Sequence, residues 1–339
     1  MMGINIDHND QLAEYLQAEM GISPDQIISV QTLTGGVSNR TKLLSLSNGS
    51  SWVIKQALTQ LRVDGDWRSE PHRVLREAAA LRWFDLSQSI ITPAFIHEDP
   101  NEFIVIMEAI RPPFVNFKDW LMAENYSENY INQSGELLGV LHSESIQKTD
   151  LIPGMFYDQH FFETLRLHPY YTESARILPE CRSFMEDLKI ETQLNSWCLV
   201  HGDFSPKNIL LKEGKLVLLD HEVIHYGDGC FDLGFFTCHL LSKANHIKPL
   251  CEQYLKGVIT FYNSYLNQIN LLPDMVEQRA IRHCIACLIA RVCGLSKLEY
   301  LSIREREIQQ SIALVLINDP PLTFVELSNQ YKTLLNEYH

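Results

Sequence analysis

The sequence predicts an α+β protein with two lobes: a small antiparallel-sheet lobe with one main helix, then a larger, mostly helical lobe. Runs of β-branched and apolar residues, separated by turn signals, fill residues 27–108 and are typical of short strands. Beyond residue 110, apolar positions recur at helical spacing. The length of 339 residues also exceeds that of one average domain. We therefore expect an N-terminal lobe over residues 1–109 and a C-terminal lobe over residues 110–339.

The predicted N-terminal lobe begins with an amphipathic helix over residues 10–20. Three strand-like runs follow as an antiparallel meander, with Asn48-Gly49 as the hairpin turn between the second and the third. A strong helical pattern then precedes two further strand-like runs. The predicted strands cover residues 27–33, 41–46, 52–57, 94–98 and 103–108, and the main helix covers residues 71–86.

The predicted C-terminal lobe follows the link Arg111-Pro112-Pro113 and consists of helices interrupted by one hairpin. In that hairpin, Ile209–Leu211 and Leu216–Leu219 flank a turn whose glycine can adopt a left-handed conformation. The predicted helices lie near residues 130–142, 172–196, 231–244, 247–267, 274–294, 302–316 and 322–337.

Composition narrows the class of partner. The formal net charge of −14 argues against nucleic acid or an anionic membrane as the main partner, because both repel an acidic surface. No apolar stretch approaches the roughly 20 residues that span a bilayer, and the polar, acidic N-terminus lacks the pattern of a secretory signal. We expect a cytoplasmic monomer or homodimer with a small-molecule partner.

Eight cysteines are present, and a reduced set is the simplest interpretation because a chain of this length does not need disulfides. Cys284 and Cys287 form one CxxC pair beside His283, without a second CxxC elsewhere. Zinc binding is one interpretation of this pair. Buried cysteines on an apolar helix are the favoured one.

The strongest chemical pattern lies in Leu199–Leu219 and the run of residues 220–234 after it. Asp203 is followed by Asn208 and then by Asp220 at the end of the predicted hairpin. Such a hairpin brings the two carboxylates and the amide into one small volume. Their oxygens are the hard ligands that Mg²⁺ prefers, with one carboxylate left over as a base. A solvated polar loop is the alternative.

Lys55 lies inside an apolar strand-like run, with Val53 and Ile54 before it. A lysine that points inward needs an anionic partner, because burial of an unpaired ammonium is costly. Glu77 on the predicted main helix is the natural partner. An edge-strand lysine in water is the alternative.

A glycine loop with Gly35, Gly36 and Ser38 separates the first two predicted strands. Glycines let backbone amides approach an anion closely, and the serine adds a hydroxyl donor. The loop does not match the Walker A pattern, since no Gly-Lys-Ser/Thr follows and no helix begins there. A simple turn is the alternative to a phosphate site.

The order of these segments resembles the aminoglycoside phosphotransferase and choline kinase family, which has the protein-kinase-like fold. HGDFSPKNIL at residues 201–210 and LLDHEVIHYGDGCFDLGF at residues 218–235 carry the resemblance. GGVSNRT at 35–41, VIK at 53–55 and REAAALRW at 76–83 add to it. The chain has Asp-His-Glu where protein kinases have Asp-Phe-Gly, and it lacks an activation loop ending in Ala-Pro-Glu. The first departure means that the phenylalanine gating of protein kinases does not carry over to this chain. The second favours a small-molecule acceptor over a protein.

The resemblance implies a kinase that uses ATP and Mg²⁺. Asp203 would orient the attacking hydroxyl group, with deprotonation as a further role. Asn208 and Asp220 would hold Mg²⁺ against the nucleotide phosphates. Lys55, positioned by Glu77, would grip the α- and β-phosphates.

The resemblance also makes the N-terminal lobe the nucleotide-binding lobe and the C-terminal lobe the catalytic and acceptor-binding one. The backbone of the hinge Glu108–Ile110 would take the adenine edge, with Ile54 and Met107 as apolar walls. His201 and Asp232 would brace the catalytic loop without touching the substrate.

The acceptor pocket of this fold forms between the catalytic loop and the C-terminal helices. The candidates from this sequence are His221, Tyr226, Tyr170 and Arg291, and each has a purely structural alternative. Arg291 would matter most for an acceptor with a carboxylate or phosphate group. For Lys207, in the middle of the catalytic loop, two interpretations are left: it contacts the transferring phosphoryl group, or it is simply exposed to solvent.

We expect the chain to phosphorylate a hydroxyl group of a small polar metabolite of the sugar-like, amino-alcohol or hydroxy-acid type. The C-terminal helices have no dense cluster of acids, which disfavours a polycationic aminoglycoside acceptor. An aminoglycoside or macrolide kinase and a catalytically silent nucleotide-binding relative are the alternatives. The sequence leaves the acceptor and the choice between ATP and GTP open.

Overall fold

The computed structural model describes residues 4–33, 36, 38–62, 67–270 and 275–338, and the chain divides into two units. Met1–Phe114 and Asp220–Glu222 form the N-terminal unit. Val115–Leu219 and Val223–His339 form the C-terminal unit. The expected division into functional lobes at residues 109 and 110 stays a prediction.

The N-terminal unit is a five-stranded antiparallel sheet with a helix on each face. Its elements are α1 (Asn9–Met20), β1 (Ile27–Thr32), β2 (Asn39–Leu46), β3 (Ser51–Ala57), α2 (Arg73–Ser87), β4 (Phe95–Asp99) and β5 (Ile104–Glu108). The strand order is β1-β2-β3-β5-β4. Because successive strand residues point to opposite faces, Ile54 packs against α1 while Met107 packs against α2. Lys55 lies between Ile54 and Gln56 on β3.

The C-terminal unit is mostly helical, with two small sheets of order β10-β7 and β6-β8-β9. Its first elements are β6 (Val115–Asn116), α3 (Phe117–Met122), α4 (Glu128–Gln147), α5 (His160–Phe162), α6 (Glu173–Ile177) and α7 (Arg182–Leu194). The catalytic-loop region contributes β7 (Cys198–Val200), β8 (Ile209–Lys212), β9 (Lys215–Leu218) and β10 (His225–Gly227). The last helices are α8 (Cys230–His246), α9 (Cys251–Leu266), α10 (Val276–Cys293), α11 (Ile303–Leu316) and α12 (Phe324–Tyr338).

Helix α8 is the centre of the C-terminal unit, since every residue from 230 to 245 is buried. It packs against α9 and α10. Helix α4 approaches α9 so closely that a Cβ added at Gly135 would lie 2.2 Å from the Phe261 carbonyl oxygen. The helical lobe is therefore a set of tightly packed helices that supports the short strands around the catalytic loop.

The predicted fold class is confirmed, and the five strands of the N-terminal sheet agree with the predicted runs within about two residues. The prediction of one helical stretch near 172–196 was wrong. Pro179 begins a 3₁₀ turn that separates α6 from α7, because proline lacks the N–H that a continuous helix needs. The short strands β6, β7 and β10 and the helix α3 were not predicted.

Candidate active site

The loop between β7 and β8 carries Asp203 and begins at a glycine that the geometry requires. Gly202 has a φ of 75°, and an added Cβ would lie 2.8 Å from the Cγ1 atom of Val223. Only glycine combines this backbone conformation with this space. Beyond Asp203, a 3₁₀ turn over Pro206–Asn208 leads into β8. The predicted loop is therefore short and tightly folded.

Asp203 and Asn208, two of the three predicted groups, are in direct contact. The Asn208 side-chain nitrogen donates to Asp203 Oδ2 at 2.7 Å. Arg166 lies on the other oxygen, with 3.1 Å between its Nη2 and Asp203 Oδ1. The Asp203 side chain keeps 19% of its surface exposed. Its carboxylate is thus fixed on both oxygens and is still reachable.

His201 and Asp232 hold the loop from below, and both are fully buried. Asp232 accepts hydrogen bonds from the backbone N–H of His201 at 2.6 Å and of Gly202 at 2.9 Å. His201 Nδ1 accepts from the Asp203 amide at 3.2 Å, and its Nε2 lies 3.1 Å from the Leu219 carbonyl oxygen. This pattern places the imidazole proton on Nε2. These hydrogen bonds fix the backbone of the loop around Gly202, and the predicted absence of substrate contact stays a prediction.

Lys55 forms an ion triad within the N-terminal unit. Its Nζ lies 2.7 Å from Glu77 Oε1 and 2.9 Å from Asp220 Oδ1. Burial alone lowers the pKa of Lys55, but Asp220 and Glu77 together raise it above its usual value. Burial raises the pKa of Glu77 to about 7, against the effect of Lys55 and with that of Asp220. One ammonium therefore serves two carboxylates, and burial makes Glu77 easier to protonate than a glutamate in water.

Asp220 directly follows the hairpin and adopts a left-handed conformation, with a φ of 66°. Such a conformation is uncommon for a residue with a side chain and often marks a functional position. Two residues later, Glu222 Oε2 accepts from Arg73 Nε at 3.2 Å and from the Asn39 side chain at 3.1 Å. The segment 220–222 is thus tied to the rest of the N-terminal unit by two carboxylates, one on the partly buried Lys55 and one on the fully buried Arg73.

The predicted glycine-loop residues have different outcomes. Gly35 lies outside the described residues. An added Cβ at Gly36 would meet nothing within 4 Å. Ser38 is buried; its hydroxyl accepts from the Asn39 side chain at 3.2 Å, and its carbonyl oxygen accepts from Arg73. The phosphate-binding role of this loop stays a prediction.

The predicted adenine site is brought together only in part. Ile54 and Met107 lie in separate hydrophobic clusters on opposite faces of the sheet, so they do not line one surface. The Glu108 amide donates to the Ala94 carbonyl oxygen at 2.8 Å. The Ile110 amide has no hydrogen-bond partner among the described residues. The adenine-binding role of this amide stays a prediction.

Two of the acceptor candidates lie together, because Arg291 Nη1 donates to the Tyr170 hydroxyl at 3.1 Å. The other two lie elsewhere. His221 is fully buried and packs on Phe84, with 4.7 Å between ring centroids. The Tyr226 ring lies 5.1 Å from that of Tyr157. The structure therefore groups Tyr170 with Arg291, places Tyr226 beside Tyr157, and assigns His221 to the N-terminal unit.

Arg166 and the pair Arg73–Glu222 were not identified from the sequence. Arg166 also donates through Nε to the Gly202 carbonyl oxygen at 2.6 Å, so it holds both the backbone and the carboxylate of the catalytic loop. It lies in a π-helical segment, Glu163–Thr172, that contains Pro169. An arginine in an otherwise aromatic-rich run was the available signal, although a proline inside such a run is atypical of a helix.

The remaining predictions concern metals, lysine and membranes. Cys284 and Cys287 are buried free thiols, and no group of three or more metal-binding side chains occurs in the described part of the chain. Lys207 is exposed, and its carbonyl oxygen accepts from the Asn116 side chain at 2.7 Å. Within the described ranges, every helix is too short or too polar to cross a membrane.

Comparison with known proteins points to one family. The sequence profile of the phosphotransferase enzyme family, APH, matches residues 29–262. The methylthioribose kinase of Klebsiella pneumoniae is 24% identical over 254 residues, which are 67% of this chain and 63% of that relative. The chain therefore spans less than two thirds of the length of the curated relatives it matches.

Two solved structures share the fold. An amicoumacin kinase in complex with AMP-PNP, Ca²⁺ and Ami has a TM-score of 0.59 at 16% identity, covering 94% of this chain and 99% of that one. A choline/ethanolamine kinase family protein from Mesorhizobium loti has a TM-score of 0.55 at 13% identity, covering 97% and 99%. At these identities the likeness concerns the fold alone, and it agrees with the two-lobe architecture predicted above.

Proposed function

Because the chain belongs to the phosphotransferase enzyme family, we propose that it transfers the terminal phosphoryl group of ATP to a hydroxyl group of a small polar molecule. The observation that carries the proposal is the geometry of Asp203. Its carboxylate is held by Asn208 at 2.7 Å and by Arg166 at 3.1 Å, yet stays partly exposed. A fixed, reachable carboxylate is suited to orient a hydroxyl group and accept its proton.

The reaction forms a bond between the acceptor oxygen and the terminal phosphorus, and it breaks the bond between that phosphorus and the ADP oxygen. The hydroxyl proton passes to Asp203. Phosphoryl transfer needs mainly alignment and charge neutralisation. No covalent intermediate with the chain is required.

The donor set fits Mg²⁺. Asn208 uses its side-chain nitrogen for Asp203, so its amide oxygen is the atom suited to ligate a metal. Asp220 supplies a carboxylate whose side chain is 23% exposed. Both are hard oxygen ligands. Bound Mg²⁺ supplies positive charge that neutralises the phosphates of the nucleotide.

Lys55 is the residue that we assign to the α- and β-phosphates. Its ammonium is kept charged and fixed by Glu77 and Asp220, which prepares it for a further anionic partner. Glu77 then acts as a positioning residue. The Ile110 amide is the proposed donor to the adenine edge.

A sugar-like acceptor has support from the relatives. The curated relatives that match include methylthioribose kinases from Klebsiella pneumoniae and from Erwinia tasmaniensis, each 24% identical. They match over less than two thirds of their length, so the sugar-like acceptor is a proposal for this chain. Hydroxy acids and amino alcohols are also small polar molecules with a hydroxyl group, so they stay within the proposed acceptor class.

The first test is nucleotide binding. Mg·ATP should raise the Tm of the purified chain by several degrees, because a ligand that binds only the folded state stabilises it. Asp220→Ala should abolish this increase, since it removes a proposed metal ligand. The measurement is a thermal shift over a series of Mg²⁺ and ATP concentrations. A wild-type protein that shows no shift at any Mg²⁺ concentration would refute the proposal.

The second test separates binding from chemistry. Asp203→Asn should leave the Mg·ATP shift nearly unchanged, while turnover of any accepted alcohol falls roughly 10²- to 10⁴-fold, the usual contribution of a positioned base. Product formation is followed by mass spectrometry against a panel of small alcohols. If the wild type binds Mg·ATP but phosphorylates none of them, the catalytically silent alternative is favoured.

A further inference from the structure

Three basic side chains of the C-terminal unit, His239, Lys243 and Arg291, form a cluster that the proposed chemistry does not use; we call it the basic cluster. His239 and Lys243 lie one turn apart on α8, and Arg291 lies near the end of α10. Lys243 Nζ lies 5.4 Å above the Tyr300 ring. Arg291 Cζ lies 5.9 Å from the centre of the Tyr170 ring. Aromatic faces therefore border the cluster on two sides.

Lys243 is the unusual member, because it is 1% exposed. Among the described residues it has no carboxylate partner, and its ammonium has a single long hydrogen bond of 3.5 Å to the His239 carbonyl oxygen. Burial and the nearby Lys118 lower its pKa to about 7. Lys118 itself is paired with Glu299. A buried ammonium without an anion is unfavourable, so Lys243 is partly the neutral amine near neutral pH, and an anion bound beside it would favour the charged form.

Further polar atoms in the cluster also lack partners. Arg291 Nε, His239 Nε2 and the Tyr300 hydroxyl are buried without a hydrogen bond to any described residue. Burial and the positive charge of Arg291 and Lys243 keep the pKa of His239 well below its usual value. Native proteins satisfy nearly all buried polar groups. Several unsatisfied donors around one buried lysine therefore indicate a site for a ligand that accepts hydrogen bonds.

The basic cluster lies in the same unit as Asp203, and Tyr170 and Arg166 connect the two. Arg166 binds Asp203 at 3.1 Å, and its Cζ lies 6.0 Å from the centre of the same Tyr170 ring that Arg291 contacts. The Asp203 charge is also near enough to raise the pKa of Arg291, against the effect of burial and after that of Tyr170. A molecule whose hydroxyl group meets Asp203 can extend toward the cluster.

We propose that the basic cluster binds an oxyanion of the acceptor, so that the substrate class is an alcohol with a carboxylate or phosphate group. This inference rests on the proposed function, since it names the acceptor of the same site. Lys243 and Arg291 supply positive charge and N–H donors, and Arg is well suited to planar oxyanions. The carboxylate of a hydroxy acid and the phosphate of a phosphorylated sugar share this chemistry, and the experiment distinguishes them.

The first experiment measures binding without nucleotide. D-glycerate and inorganic phosphate are titrated against the full chain, its Lys243→Met variant and its Lys256→Met variant by calorimetry. Lys256 is the matched control, because it is an exposed lysine of α9 paired with Glu128. We expect Lys243→Met to weaken the better ligand roughly 10- to 100-fold, the value of a charge-assisted hydrogen bond, and Lys256→Met to leave it unchanged. Tighter binding of D-glycerate would indicate a carboxylate acceptor, and tighter binding of inorganic phosphate would indicate a phosphorylated one.

The second experiment measures turnover with pairs of alcohols that differ only in the anionic group, D-glycerate with glycerol and ribose 5-phosphate with ribose. Lys243→Met should lower kcat/KM for the charged member and leave that for the neutral member nearly unchanged. Arg291→Gln is the second variant, in case Lys243→Met does not fold. The inference is overturned if Lys243→Met binds each anion as tightly as the wild type does. It is also overturned if the wild type binds neither anion. Mg·ATP binding, measured separately, shows whether the proposed function has failed as well.

Discussion

At the scale of the residue, the ion triad in the N-terminal unit has an uneven charge balance. Lys55 is shared by Glu77 and Asp220, so two carboxylates face one ammonium. Glu77 is 1% exposed, and its Oε2 has no hydrogen-bond partner among the described residues. A buried carboxylate that is only half satisfied binds a proton more readily than one in water. The half-satisfied carboxylate of Glu77 therefore lowers the stability of the folded chain, while the triad holds Lys55 in place.

The raised pKa of Glu77 predicts a dependence of stability on pH. Its pKa in the folded chain is about 7, so the folded state binds more protons than the unfolded state between about pH 4.5 and 7. The free energy of unfolding should therefore fall as the pH rises through this window, by roughly 3 kcal/mol for the full shift. In Glu77→Gln this contribution is absent. Denaturant unfolding of both proteins at a series of pH values measures the difference, and a constant difference would contradict the assignment.

At the scale of the element, α4 and α9 meet at two glycines one turn apart. A Cβ at Gly135 would lie 2.2 Å from the Phe261 carbonyl oxygen, and one at Gly139 would lie 2.8 Å from the Tyr265 carbonyl oxygen. Backbone atoms cannot move aside as a flexible side chain can. The two helices can keep this separation only while both positions stay glycine.

Gly135→Ala should therefore destabilise the chain, although alanine is the better helix former by about 1 kcal/mol. Overpacking of a core usually costs about 1–3 kcal/mol and sometimes more, and here the clash is with backbone. Gly154→Ala is the control, because nothing lies within 4 Å of its added Cβ. Chemical denaturation measures both variants. Equal stability of the two would contradict the close approach of α4 and α9.

Elements with a clear period were predictable from the sequence, and those that depend on distant partners were not. The β2–β3 hairpin follows from its Asn-Gly turn, and the helix that carries Glu77 follows from its apolar spacing. The helical backbone around Arg166 was missed, because Pro169 normally ends a helix while here the turn widens to a π-helix.

The candidate site was predictable where its logic is chemical. Lys55 on a strand requires an acid, and Glu77 is that acid. Glu222 as the partner of Arg73 was not predictable, because the two lie 149 residues apart in the sequence and neither belongs to a local pattern. The ligands for the acceptor were also beyond the sequence, since Tyr170 and Arg291 meet only through the packing of distant helices.

At the scale of the whole molecule, the thiols provide a measure of packing. All eight cysteines lie in the C-terminal unit, and all except Cys251 are buried. Burial and the neighbouring Glu252 raise the pKa of Cys251, so even this thiol has little thiolate at neutral pH.

In a titration with a chromogenic disulfide reagent, the native chain should therefore show one slowly reacting thiol. The denatured chain should show eight. Cys251→Ser should abolish the native reaction and reduce the denatured count by one. A fast native reaction of several thiols would show that the packing of α8 and α10 is looser than described.

The two-part make-up of the N-terminal unit has a consequence during synthesis on the ribosome. Met1–Phe114 emerges first, but Asp220–Glu222 follows only after the whole of residues 115–219, an interval on the order of ten seconds. Until then Arg73, which is fully buried in the finished unit, is without Glu222, and Lys55 has Glu77 as its one acid from the earlier segment. The first part of the chain to be made is thus completed late, because the acids Asp220 and Glu222 that pair with Lys55 and Arg73 are synthesised after residues 115–219.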